Sequence, residues 1–196
     1  MSDNGVVHGD EISATVADSE LALSEFGVVT EARTLRIRRT LPGPVERVWA
    51  YLTESEKRGR WLASGPMDLR VGGRVELTFR NSDLSAHAEP PPDKYKDREG
   101  ASVHGRVTRC EPPRLLSYTW GEHSEVTFEL TPQGADVLLV LTHRRLPDRA
   151  MMVKVGSGWH THLDILLDQL AGRAPRPFWS THARLEAEYE RRLPED

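Results

Sequence analysis

Residues 158–170, GWHTHLDILLDQL, gather His160, His162, Asp164 and Asp168 just behind Trp159. Side chains of these types ligate metals or exchange protons with a substrate, so the directions in which they point decide the chemistry. The surrounding pattern is helical, and at about 100° per residue His160 and His162 diverge by about 200°. Two helical histidines reach one metal at i, i+4 spacing, so no metal centre is expected here. His160 stands one turn before Asp164 and is expected to form an exposed ion pair worth about 0.2–0.5 kcal/mol. His162 lies at the edge of an apolar stripe, about 60° from Trp159. There it either reaches a cavity as a polar group or satisfies itself on a backbone carbonyl.

That stripe consists of Met152, Val155, Trp159, Leu163, Leu166 and Leu170, while Ser157, Thr161, Asp164 and Asp168 cluster opposite, as on a solvated helix back. Gly156 and Gly158 each cost up to about 1 kcal/mol against alanine inside a helix. Close packing or a ligand must compensate. No nucleophile motif accompanies the histidines: GSG at 156–158 is not G-x-S-x-G, and Cys110, the only cysteine, has no motif partner. A single thiol also excludes an intrachain disulfide and a cysteine zinc cage. With no glycine-rich phosphate loop either, no cofactor is expected.

The elements that position this helix show as changes of period. TLRIRRTL sets Leu35, Ile37, Arg39 and Leu41 against Thr34, Arg36, Arg38 and Thr40, the pattern of a half-buried strand with a solvated basic face. Pro44 opens a short helix through Val45, Val48, Trp49 and Leu52, and a second near 56–62 presents Trp61. Period two returns at Met67, where 67–71 and 75–79 read as the arms of a hairpin around Gly72-Gly73. Further strands at 102–110, 114–120, 125–131 and 135–146 bring the number to seven. Between them, residues 80–101 carry three consecutive prolines and many charges, and read as a long loop that is either functional or disordered. Asp148 caps the long helix and Gly172 stops it. Beyond RAPRPF, Leu185, Tyr189 and Leu193 share one face of a last helix, suited to docking on the body or to a dimer contact.

Of the 196 residues, the first 32 hold seven acidic side chains and no Lys or Arg, an acidic leader, although the net charge is only −4. The remainder is too weakly basic for nucleic-acid binding to be expected. The longest apolar run, VLLVL at 137–141, is far short of the roughly 20 residues that span a bilayer, and no signal-peptide order is present. A soluble cytoplasmic protein without membrane insertion is expected.

Taken in order, LPGPVERVWAYLT, RWLASGPMDLRVGGRVELTF, GRVTRCEPPRLLSYTW, VTFELTP and GWHTHLDILLDQL resemble the activator of heat-shock-protein ATPase homologue-like family. This group lies within the START-type, birch-pollen-allergen-like helix-grip superfamily, often labelled SRPBCC. The resemblance covers about residues 33–172, between the leader at 1–32 and a helical extension at 173–196. It implies an α+β helix-grip fold: a curved seven-stranded antiparallel sheet around the long helix, with two short helices after the first strand. It also implies a cavity for an apolar, lipid-like or aromatic small molecule between sheet and helix. Candidate lining residues are then Trp61, Phe79, Tyr118, Trp120, Phe128, Trp159, Leu163 and Leu166, with His104 and His162 as polar anchors. Two other functions stay open on the same resemblance. One is a polyketide cyclase/dehydratase-like or hydrolase-like enzyme with His104 or His162 as general base. The other is a chaperone-ATPase-activator-like interaction module in stress response, working through the leader, the 80–101 loop or the last helix.

Overall fold

Alternation along the chain places a row of directly paired residues, Leu35, His143, Val126, Tyr118 and Val107, across five neighbouring strands, and all five are buried. The computed structural model describes residues 26–31, 33–87 and 89–193. Its strands are β1 (Val28–Glu31), β2 (Thr34–Pro42), β3 (Arg74–Thr78), β4 (Ser102–Glu111), β5 (Leu115–Trp120), β6 (Ser124–Gln133) and β7 (Asp136–Arg144). They form one antiparallel sheet in the order β1-β2-β7-β6-β5-β4-β3. Helices α1 (Val45–Thr53) and α2 (Ser55–Arg58) follow β2. The long helix α3 (Arg149–Leu170) and the last helix α4 (Phe178–Arg192) complete the fold. The sheet grips α3, and the α+β helix-grip architecture is the one the family resemblance implies. Among the described residues no helix is long and apolar enough to cross a membrane.

The count of seven strands stands, but its membership changes. Residues 67–71 make no strand: only Met67 bridges Val75, while Leu69 and Val71 are exposed. Short hydrogen bonds curl the chain at 68–73, with Gly73 N–H donating to Arg70 O and Gly72 at φ +80°, so the expected arm is a turn. The seventh strand is β1, inside the stretch read as the acidic leader; that leader up to residue 25 lies outside the described residues.

Helix α3 starts where Asp148 accepts from the Met151 N–H at 2.7 Å and ends before Gly172, at φ +67°. Its stripe of Met152, Trp159, Leu163, Leu166 and Leu170 is buried as expected, with Val155 partly so. The opposite side is a correction. Ser157, His160, Thr161, Asp164 and Asp168 are buried too, because α4 packs along that side while β2 meets it with a cation. Arg39, on the inward face of β2, reaches Asp164 at 3.3 Å, and Arg176 bridges Asp164 and Asp168 at 2.9 Å each. Asp168 also receives Arg173. Burial and the surrounding arginines hold His160 neutral at about 3, with Tyr189 Oη 3.4 Å from its Nδ1 and Asp164 Oδ2 3.7 Å from its Nε2. The pair expected in water is therefore part of a polar layer inside the protein.

Helix α4 turns Leu185, Tyr189 and Leu193 inward, so the face offered for a dimer contact is occupied within the chain. The 80–101 loop is ordered in large part by the same helix. Tyr95 stacks on Trp179 and donates to Glu186 at 2.6 Å, while Trp179 Nε1–H donates to Ser82 at 2.9 Å.

Candidate functional site

A cavity of about 500 Å³ lies between the N-terminal half of α3 and the sheet, within the roughly 300–1,000 Å³ typical of small-molecule pockets. The helix contributes Met151, Lys154, Val155, Gly158, Trp159 and His162, neighbours at the i, i+3 and i+4 spacings that define one helix face. Opposite stand Val103 of β4, Trp120 of β5, Ser124 of β6 and His143 of β7, closed off by Leu62, Phe79 and Asn81. Exposed lining residues, among them Arg98, Glu122, His123 and Arg145, mark the mouth; buried Leu62, His143, Trp159 and His162 mark the depth.

Gly158 shows why a helix glycine is placed here. A Cβ at Gly158 would meet no neighbouring atom within 4 Å, so the position opens onto free space. At Gly156 the same atom would press against the Tyr189 ring at 2.9–3.3 Å. One glycine keeps a hollow and the other admits a neighbour.

Four aromatic rings form a closed circuit in the wall. Phe79 meets Trp120 at 5.8 Å, Trp120 meets Trp159 at 5.1 Å, Trp159 meets His162 at 6.5 Å, and His162 meets Phe79 at 6.1 Å. Trp120 and Tyr118 share the face that looks at the helix, with their rings stacked at 6.4 Å.

Hydrogen bonds fix the histidine tautomers. Trp159 Nε1–H donates to His143 Nδ1 at 3.0 Å, so neutral His143 carries its proton on Nε2 and donates to Ser124 Oγ at 3.0 Å; Ser124 then donates to Trp120 O at 2.9 Å. Both nitrogens of His143 are engaged, and burial lowers its pKa to about 3. It is a neutral strut. His162 Nδ1–H donates to Trp61 O at 2.7 Å, which leaves the Nε2 lone pair as an acceptor on a cavity-lining ring. Burial pushes its pKa down to about 4, against the pull of that carbonyl. Asn81 Oδ1 is a second acceptor in the wall, buried and without a partner.

The ten residues singled out from sequence divide three ways. Phe79, Trp120, Trp159 and His162 line the cavity. Trp61, Tyr118, Phe128, Leu163 and Leu166 lie in the solid core instead, fully enclosed by neighbours; Trp61 donates its Nε1–H to Tyr51 O. His104 is on the outside: it alternates with inward Val103 and Gly105, its side chain is 66% exposed, and Glu76 is 4.0 Å away. It stands apart from the residues that line the cavity. Sequence reasoning missed His143, although the alternation Val137, Leu139, Leu141, His143 puts it on the inward face of β7. Asn81, Arg98 and Lys154 carried no such signal. Among the described residues no group of three or more His, Cys, Asp or Glu side chains is placed to hold a metal ion.

Comparison with known proteins agrees with this architecture. Residues 42–171 match the family model described as Activator of Hsp90 ATPase homolog 1-like protein. A Bordetella parapertussis protein solved by NMR in solution is 46% identical, with a TM-score of 0.73, over 88% of this chain and 92% of that one. Crystalline CalU16 from Micromonospora echinospora is 26% identical, with a TM-score of 0.61, over 81% and 86%. The Aha1 dimer from Colwellia psychrerythraea shares the fold at 16% identity and a TM-score of 0.52, over 70% and 95%. No curated protein matches the chain.

Proposed function

We propose, for a chain that belongs to the Activator of Hsp90 ATPase homolog 1-like family, the binding of an apolar, ring-containing small molecule in the cavity between α3 and the sheet. The observation that carries this is Gly158. A glycine in the middle of a 22-residue helix costs up to about 1 kcal/mol against alanine, and here it faces no neighbour to compensate. A ligand does. The circuit of Phe79, Trp120, Trp159 and His162 offers flat apolar walls and ring edges, which favours a conjugated or aromatic body. His162 Nε2 is an acceptor at the depth of the cavity, so it favours a ligand with a hydroxyl or N–H at its inner end.

Two of the three regions on which an interaction module would draw, the inward face of α4 and the 80–101 loop, are engaged with each other, which weighs toward the small molecule; the acidic leader up to residue 25 lies outside the described residues. Native mass spectrometry of gently purified protein tests the proposal. Additional mass, released on denaturation and missing from a Gly158→Leu variant, is the expected result. Empty wild-type protein that also takes up no apolar fluorescent probe would end it.

A further inference from the structure

The cavity mouth is electrically uneven. On the sheet side, Arg145 is matched by Glu125 at 3.8 Å, and Glu122 stands beside His123 at 3.7 Å. On the helix side, Arg98 ends the turn at Asp93–Arg98 and Lys154 projects from α3, both lining the cavity. Neither forms an ion pair with a described carboxylate. Glu186, the acid that acts on Lys154, is already engaged by Lys94 at 2.7 Å and by the Tyr95 hydroxyl at 2.6 Å. Lys154 lies over the Tyr95 ring at 5.5 Å, and its pKa is lowered by burial and by the charges of Arg98 and Lys94. Like charges held near one another repel where the neighbouring carboxylate is already shared with Lys94 and Tyr95, and an anion between them relieves the repulsion.

Resting on the cavity reading above, we infer that the ligand is an apolar acid, whose flat body enters between Trp120, Trp159 and Phe79 while an anionic group stays at the mouth between Arg98 and Lys154. The two cations come from different elements, the loop and the helix, so a bound anion also ties one to the other. An acidic group gives the ligand a fixed direction of entry. It also makes binding sensitive to salt, because the contact is at the surface.

Two fluorescent probes separate this from simple apolar binding: 1-anilinonaphthalene-8-sulfonate and N-phenyl-1-naphthylamine share the anilinonaphthalene body and differ by the sulfonate. At low salt the sulfonate probe is expected to bind at least about tenfold more tightly, and raised salt should shrink that margin. The doubly substituted R98Q/K154Q protein, altered only near the surface and checked for unchanged thermal melting, should lose the margin, read as the ratio of the two probes' affinities. Gly158→Leu should exclude both. Equal affinities, or a margin that survives R98Q/K154Q, overturn the anion site but leave the cavity reading standing. Failure of both probes to bind wild type, or binding undiminished by Gly158→Leu, overturns the cavity reading and this inference with it.

Discussion

On one side of helix α3, Gly158 looks into open space bounded by aromatic rings; half a turn away, Gly156 is pressed against Tyr189. The two sides are covered by different means. The cavity side is walled by apolar rings and leaves two acceptors, His162 Nε2 and Asn81 Oδ1, without protein partners. The covered side matches its charges: Arg39, Arg173 and Arg176 converge on Asp164 and Asp168, and Tyr189 ties His160 to the N–H of Gly27. Polar groups satisfied inside the chain hold structure together, and polar groups left unsatisfied beside a hollow are the ones that the proposed ligand would engage.

The largest test of this contrast is Asp164→Ala. It removes the carboxylate that Arg39 and Arg176 share and should cost about 3–5 kcal/mol in urea denaturation, while the protein that remains folded keeps its uptake of the neutral naphthylamine probe. Gly156→Ala should cost about 1–3 kcal/mol by overpacking against Tyr189, again without loss of probe binding.

Acidification acts on both sides at once. Burial holds His143 and His160 at about 3 and His162 and His182 at about 4, below the ordinary 6.5. The unfolded chain therefore binds protons that the folded protein refuses, so the stabilisation is complete above pH 6.5 and is lost as the pH falls toward 4. Between pH 7 and 5.5 the loss should be about 1 kcal/mol per histidine. A flat profile of denaturation midpoint against pH would show that the rings are already solvated. The smallest effect is of opposite sign: Gly158→Ala should raise stability by about 0.5–1 kcal/mol, with the melting temperature up and the cavity slightly narrowed.

Much of this could be seen in the chain beforehand, for reasons that also explain the misses. Period two located β2 to β7, and Asp148 and Gly172 bounded α3, because these signals are local. The apolar stripe on α3 was legible for the same cause. Its polar side was misjudged because a helical wheel separates apolar from polar, not buried from exposed. Arg39 and Arg176 reach Asp164 from 125 and 12 residues away, and no local pattern announces such a partner. The arm expected at 67–71 failed because its alternating Leu69 and Val71 have no sheet face to cover, and turn bonds around Gly72-Gly73 hold that backbone instead. In the site, aromatic type alone could not tell Trp120, which walls the hollow, from Phe128, which fills the core one strand further on.

The fastening of the 80–101 loop to α4 carries a kinetic consequence. Asn81 and Arg98 belong to the cavity wall, and the same segment is anchored by Ser82 to Trp179 and by Lys94 and Tyr95 to Glu186. Widening the mouth on that side means detaching these anchors, so under the proposed binding the time a guest spends inside would be set partly by helix α4, which does not line the cavity. Residence time and affinity can then be tuned separately, one at Glu186 and the other at the rings.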